Sequence, residues 1–207
     1  MNLSCLRSPL ADASKFPPVS AKSSASHRAD GALLLCIDMQ PVFVAVVADG
    51  ANVQRRCAFA VQAARGLGLD VAFTEQVPQK LGGTAAELLA HAFGAAVYAK
   101  NTFSALADDG IRDALRTRGT EHLLLCGIET SICVYQTALG ALAAGLQVTV
   151  LSDATGARRP DDAQTCLAAL ARAGVHVLPS ETVFYSLLHD VKHPFFKPYT
   201  QLVKSHG

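Results

Sequence analysis

Three residues able to take part in nucleophilic chemistry stand at or just past the ends of apolar runs in this 207-residue sequence. Asp38 closes "LLLCID", Lys100 closes "AAVYAK", and Cys133 follows "LLLCG" after the five residues 128–132. A thiolate attacks carbonyl carbon, a carboxylate can take the thiol proton, and an ammonium steadies both charges. Singly, each residue has an ordinary explanation. Cys133 fits a small core residue, as Cys36, Cys57 and Cys166 do. Asp38 fits a cap or ion pair at a strand end, since a carboxylate buried unpaired is costly. Lys100 fits a rim lysine whose stem packs on apolar neighbours. What favours chemistry is the convergence of all three on one rim of a sheet.

That convergence depends on the elements that carry the residues. Candidate strands are residues 33–38, 69–74, 95–99, 122–127, 147–153 and 175–179, and their near-continuous apolar character suits a parallel sheet covered on both faces. Helical patterns alternate with them at about 51–66, 84–92, 109–118, 131–144, 160–173 and 180–189. The rhythm predicts a three-layer α-β-α, doubly wound, Rossmann-like domain on a mainly parallel six-stranded sheet, over residues 31–207. Ligands of such sheets bind outside the carboxyl ends of the strands. With Thr130 or Ser131 as helix cap, Cys133 falls in the first helical turn, where the dipole and a nearby ammonium are expected to lower its pKa toward neutrality. Thr137, Gly140, Ala141 and Ala144 then give a small-residue face for close packing on the sheet.

Composition narrows the function classes. Half of the residues are hydrophobic and the formal net charge is +1, so no strong field favours nucleic acid or an anionic membrane. No apolar run reaches the roughly 18 residues of a membrane span. Six cysteines without a C-x-x-C pair suggest neither a disulfide framework nor a zinc knuckle, and point to a reducing compartment. Residues 1–30 hold seven serines and four Lys/Arg against two Asp, which leaves −1 for residues 31–207. This segment reads as a flexible extension or as a mitochondrial targeting segment, with Asp12 and the Pro17–Pro18 pair counting against targeting. Without a secretory apolar stretch, the expected location is cytoplasmic or mitochondrial.

The segments "ALLLCIDMQPVF", "FTEQVPQKLGGT", "YAKNTFSAL", "LLLCGIETSICVYQTALGALAAGLQVTVLSDATGAR" and "LLHDVKHPFFKPYTQLVK" occur in that order. Together they resemble the isochorismatase-like cysteine hydrolases, and within them the isochorismatase domain-containing proteins, over residues 31–204. The resemblance implies a catalytic Asp38-Lys100-Cys133 triad and a cis peptide between Ile128 and Glu129. It further implies an oxyanion hole from the backbone N–H groups of Glu129 and Cys133. The expected reaction is hydrolysis of a small-molecule C–N bond, amide or carbamoyl, through a thioester on Cys133. Phe43 is expected to wall the substrate pocket and Gln76 to supply a polar contact. Glu75 is as readily a salt-bridge partner as a site residue.

Departures from the family limit the substrate. Nicotinamidases of this superfamily bind a metal through Asp-x-His after the second strand, where this chain reads "TEQVPQ"; no metal and no cofactor is expected. True isochorismatases lack the nucleophilic cysteine, so the family name does not identify the substrate. The histidines of "HDVKH" (189–193) have helical ligand spacing, but Pro194 follows at once and a helix end suits them better. "GARRP" (156–160) reads as a solvated basic turn, or as a loop for an anion or partner subunit. A homo-oligomer is expected from the resemblance, and a membrane role is not. Two other readings stay open. One is the mitochondrial ribonuclease activity linked to a branch of these proteins, which the −1 domain charge and the lack of a basic-aromatic stripe disfavour. The other is a non-catalytic interaction protein that retains the fold.

Overall fold

The computed structural model describes residues 31–206. The N-terminal extension expected over residues 1–30 lies outside the described residues. Six strands, β1 (Ala32–Ile37), β2 (Asp70–Gln76), β3 (Ala96–Lys100), β4 (His122–Ile128), β5 (Gln147–Gly156) and β6 (His176–Leu178), form one sheet in the order β3-β2-β1-β4-β5-β6, and every pair is parallel. The helices are α1 (Pro41–Val44), α2 (Gly50–Gly66), α3 (Pro78–Leu81), α4 (Ala86–Ala90), α5 (Asp109–Thr117), α6 (Tyr135–Ala143), α7 (Pro160–Arg172), α8 (Ser180–Leu188) and α9 (Phe196–His206). The predicted three-layer α/β sandwich is the observed one.

Both faces of the sheet are buried, which is why its strands read as continuous apolar runs rather than as alternating ones. Successive residues of β1 go to opposite layers. Leu34 and Cys36 join Phe59 of α2, Phe184 of α8 and Tyr199 of α9 on one side. Leu33, Leu35 and Ile37 join Ile111 of α5, Ala138 of α6 and Leu170 of α7 on the other. Among the described residues, no helix is long and apolar enough to cross a membrane.

Several elements differ from the sequence expectation. The four-residue α1 and α3 are too short to generate a periodic signal. The C-terminal α9 contains Pro198, but in its first turn, where a missing N–H costs no helical hydrogen bond. The polar tail of β5 stays in the sheet because its register with β4 shifts between Leu125 and Gly127, pairing Gly127 with Thr155. At that shift Gly127 has φ +106, and a Cβ there would lie 2.1 Å from the Ile37 carbonyl oxygen. Only glycine lets β1 and β4 run this close beside the turn that follows β4.

Strand order reverses between β1 and β4. From β1 the chain winds outward through β2 to β3, and from β4 outward through β5 to β6. A crevice therefore opens at the carboxyl ends of β1 and β4, the position where doubly wound sheets bind ligands. Asp38 immediately follows β1, and residues 129–133 immediately follow β4.

Candidate active site

Asp38 leaves β1 with φ +51 and is 1% exposed. Aspartate is among the few residues that tolerate this left-handed conformation. Its Oδ1 accepts from Thr74 Oγ1 at 2.7 Å and its Oδ2 accepts from Lys100 Nζ at 2.7 Å. Lys100, the last residue of β3, is 2% exposed. Its ammonium also donates to Gln76 Oε1 at 2.7 Å and to the Thr102 carbonyl at 3.1 Å. Three acceptors meet three N–H donors, so a fully buried cation is held with every donor used.

Gln76 and Gln40 brace this pair. Gln76 Nε2 donates to the Asn101 carbonyl at 3.1 Å while its Oε1 serves Lys100. Gln40, fully buried, accepts from Gln76 N–H at 2.7 Å and donates to the carbonyls of Gln76 and Gly82 at 3.0 and 2.6 Å. Sequence reasoning missed Gln40 and Thr74. Their signal was slight: a polar residue two positions past Asp38, and a threonine closing an apolar run. Glu75 turns elsewhere and accepts from Thr84 N–H at 2.7 Å, pinning the loop beside Gly83.

Cys133 lies in a π-turn over Thr130–Val134 that leads into α6. The expected cap does not form: the N-cap positions are Glu129 and Val134, and neither makes a side-chain capping bond. Cys133 is 8% exposed, and its thiol lies among Asp38, Lys100 and Glu129. The Ile128–Glu129 peptide is cis. The expected pKa depression is overturned. Burial pushes the Cys133 thiol up to about 12, and the negative charge of Asp38 adds to that, while Lys100 opposes it. The ammonium loses because its donors are spent on Asp38, Gln76 and Thr102. The resting thiol is thus neutral, beside the Asp38 side chain.

A cavity of about 390 Å³ opens above these groups. Asp38, Gln76 and Cys133 line its floor, Phe43 stands in its wall, and Glu129 and Arg158 are at its edge. The Glu129 carboxylate accepts from Arg158 Nε at 2.9 Å and from Arg158 N–H at 3.2 Å. The basic turn "GARRP" therefore brings one arginine to the cavity, while Arg159 pairs with Asp162 on the surface.

Other clusters lie apart. The thiols of Cys36, Cys57 and Cys126 lie within 4.8 Å of one another, all fully buried where α2 packs on β1 and β4. Cys57 Sγ donates to the Ala154 carbonyl at 3.2 Å. The histidines of 189–193 do not share a helix: α8 ends at Leu188, and His193 Nδ1 accepts from Phe195 N–H at 3.1 Å.

Comparison with known proteins identifies the family and the fold. The family model for the isochorismatase domain matches residues 32–182. The chain is 34% identical over 174 residues to isochorismatase domain-containing protein 2 of Danio rerio, an alignment covering 84% of this chain and 87% of that one. Among solved structures it resembles the MAR1 ribonuclease of Caenorhabditis elegans, with a TM-score of 0.79, 28% identity and coverage of 84% and 90% of the two chains. The YcaC protein of Escherichia coli, described as an octameric hydrolase of unknown specificity, shares the fold at a TM-score of 0.75 and 21% identity, covering 86% of this chain and 94% of that one. The chain belongs to the isochorismatase family.

Proposed function

We propose that the protein is a cysteine hydrolase that cleaves an amide or carbamoyl C–N bond of a small molecule. The observation that carries this reading is the Cys133 thiol lining one cavity together with Asp38, a carboxylate locked to a buried ammonium. As sulfur bonds to the substrate carbonyl carbon, the thiol proton passes to Asp38 and the C=O π pair moves onto oxygen. The backbone N–H groups of Glu129 and Cys133 receive that oxyanion, each such donor being worth about 3 kcal/mol of barrier. Collapse expels the amine, which takes the proton from Asp38. Water then gives its proton to Asp38 and attacks the thioester carbonyl, and the departing sulfur recovers the proton.

Lys100 holds Asp38 in place as it takes and returns the proton, and so is a positioning residue. The raised thiol pKa suits this order of events, because proton removal accompanies attack instead of preceding it. The test is ammonia or amine release from a panel of primary amides and N-carbamoyl compounds, with intact-mass detection of an acyl adduct. Turnover that disappears in Cys133→Ala, with the adduct on Cys133, is expected. No release and no adduct from any compound, or turnover that survives Cys133→Ala, would refute the reading.

A second reading, RNA cleavage, draws support from the likeness to the nematode MAR1 ribonuclease. Against it stands the −1 formal charge of residues 31–207. Under that reading, RNA binding weakens steeply as salt is raised; binding that is absent at low salt would dismiss it.

A further inference from the structure

We propose that the cavity above Cys133 takes a neutral amide or carbamoyl compound bearing an apolar chain or ring, and disfavours substrates with a free carboxylate or ammonium. This inference rests on the cysteine-hydrolase reading and specifies its substrate class. At about 390 Å³ the cavity is near the small end of ligand sites, which span roughly 300–1,000 Å³. Its walls are Phe43, Val46, Val47, Phe103, Ile128 and Ile132, with no polar side-chain atom among them.

The polar atoms at the floor are committed. Asp38 serves Thr74 and Lys100, and Gln76 serves Lys100 and Asn101. The cation at the edge, Arg158, is matched by Glu129, so an ionic substituent meets a pair of zero net charge. A charged group entering here exchanges its hydration for apolar wall and gains no opposite charge of its own. An apolar group gains with each methylene buried. Reaction with the amide and apolar selection are thus supplied by separate groups of one cavity: Asp38, Cys133 and the backbone after β4 for the first, and the apolar wall side chains for the second.

The full-length protein is treated in mildly alkaline buffer with iodoacetamide, its N-methyl, N-propyl and N-hexyl derivatives, and iodoacetate. Labelling of Cys133 is followed by peptide mass spectrometry, and each rate is divided by that of the same reagent with free N-acetylcysteine. The normalised rate is expected to rise with chain length, by up to about fourfold per methylene until the cavity is filled. Iodoacetate is expected about tenfold or more below iodoacetamide. Val46 is 58% exposed, so Val46→Asp leaves the core intact while placing an anion in the wall, and it should flatten the chain-length dependence.

Equal normalised rates across the series, a preference for iodoacetate, or a slope unchanged by Val46→Asp would overturn the assigned substrate class while leaving the nucleophile in place. Absence of Cys133 labelling by every reagent, with Cys166 labelled in the same sample, would overturn the cysteine-hydrolase reading itself and this inference with it.

Discussion

The reactivity of Cys133 follows from its surroundings with a definite size. Its pKa stands at about 12 against an ordinary 9.0, so below pH 9 its thiolate fraction is about a thousandfold below that of a free thiol. A more basic thiolate is also a better nucleophile. With a Brønsted slope of about 0.4–0.5, that returns roughly 15- to 30-fold. The balance is alkylation by iodoacetamide roughly 30- to 60-fold slower than that of free N-acetylcysteine at neutral pH, rising about tenfold per pH unit well beyond the point where the reference levels off. The assay is the second-order rate at Cys133 by peptide mass spectrometry across the alkaline range, for the parent and two variants. Asp38→Asn removes a negative charge that helps hold the proton on sulfur, so its midpoint falls. Lys100→Met removes the opposing charge, so its midpoint rises. Labelling as fast as the reference at neutral pH with a midpoint at or below 9.0, or a midpoint that rises in Asp38→Asn, would refute the reasoning.

Three further outcomes are expected. Lys100→Met strands a buried carboxylate and should cost about 3–5 kcal/mol in urea unfolding. The double variant with Asp38→Asn should recover part of that loss, and additivity within about 0.5 kcal/mol would show that the two residues are uncoupled. Gly127→Ala drives a Cβ to 2.1 Å from the Ile37 carbonyl oxygen and should cost more than about 4 kcal/mol, whereas Gly68→Ala, with φ +78 and open space, should cost only about 1–2 kcal/mol by thermal or urea unfolding. Because the folded state raises the Cys133 pKa, it holds that proton more tightly than the unfolded chain does. Its contribution is complete below pH 9 and is lost as pH climbs toward 12. Cys133→Ala should therefore flatten the decline of stability with pH above 9, measured by urea unfolding at fixed temperature.

Strand positions were legible because both faces of the sheet are covered, so "LLLCI" and "HLLLC" carry an unbroken apolar signal. The residues at the strand ends were legible for the same reason: where the apolar run stops, Asp38, Lys100 and the "GIETSIC" turn begin. The sign of the Cys133 shift was not legible. Sequence reveals that a cation and an acid are near the thiol, but it does not reveal that Lys100 points all three donors elsewhere or that the thiol is 8% exposed. Gln40 escaped notice because its role is to hold backbone atoms of β2 and the following loop, a contact fixed only by three-dimensional register. Pro198 disguised α9 because a proline in a first turn and a helix-breaking proline look alike in sequence.

The braced chain from Gln40 through Gln76 and Lys100 to Asp38 links the ends of β1, β2 and β3 without using any side chain of the cavity wall. Altering Phe43, Val46 or Phe103 therefore changes what fits over the thiol without disturbing how its proton is managed. A scaffold partitioned in this way can exchange one substrate for another by drift in a few wall residues while its reaction stays the same. It offers engineers the same freedom: new selectivity can be sought by randomising the wall alone, with the strand-end residues left untouched.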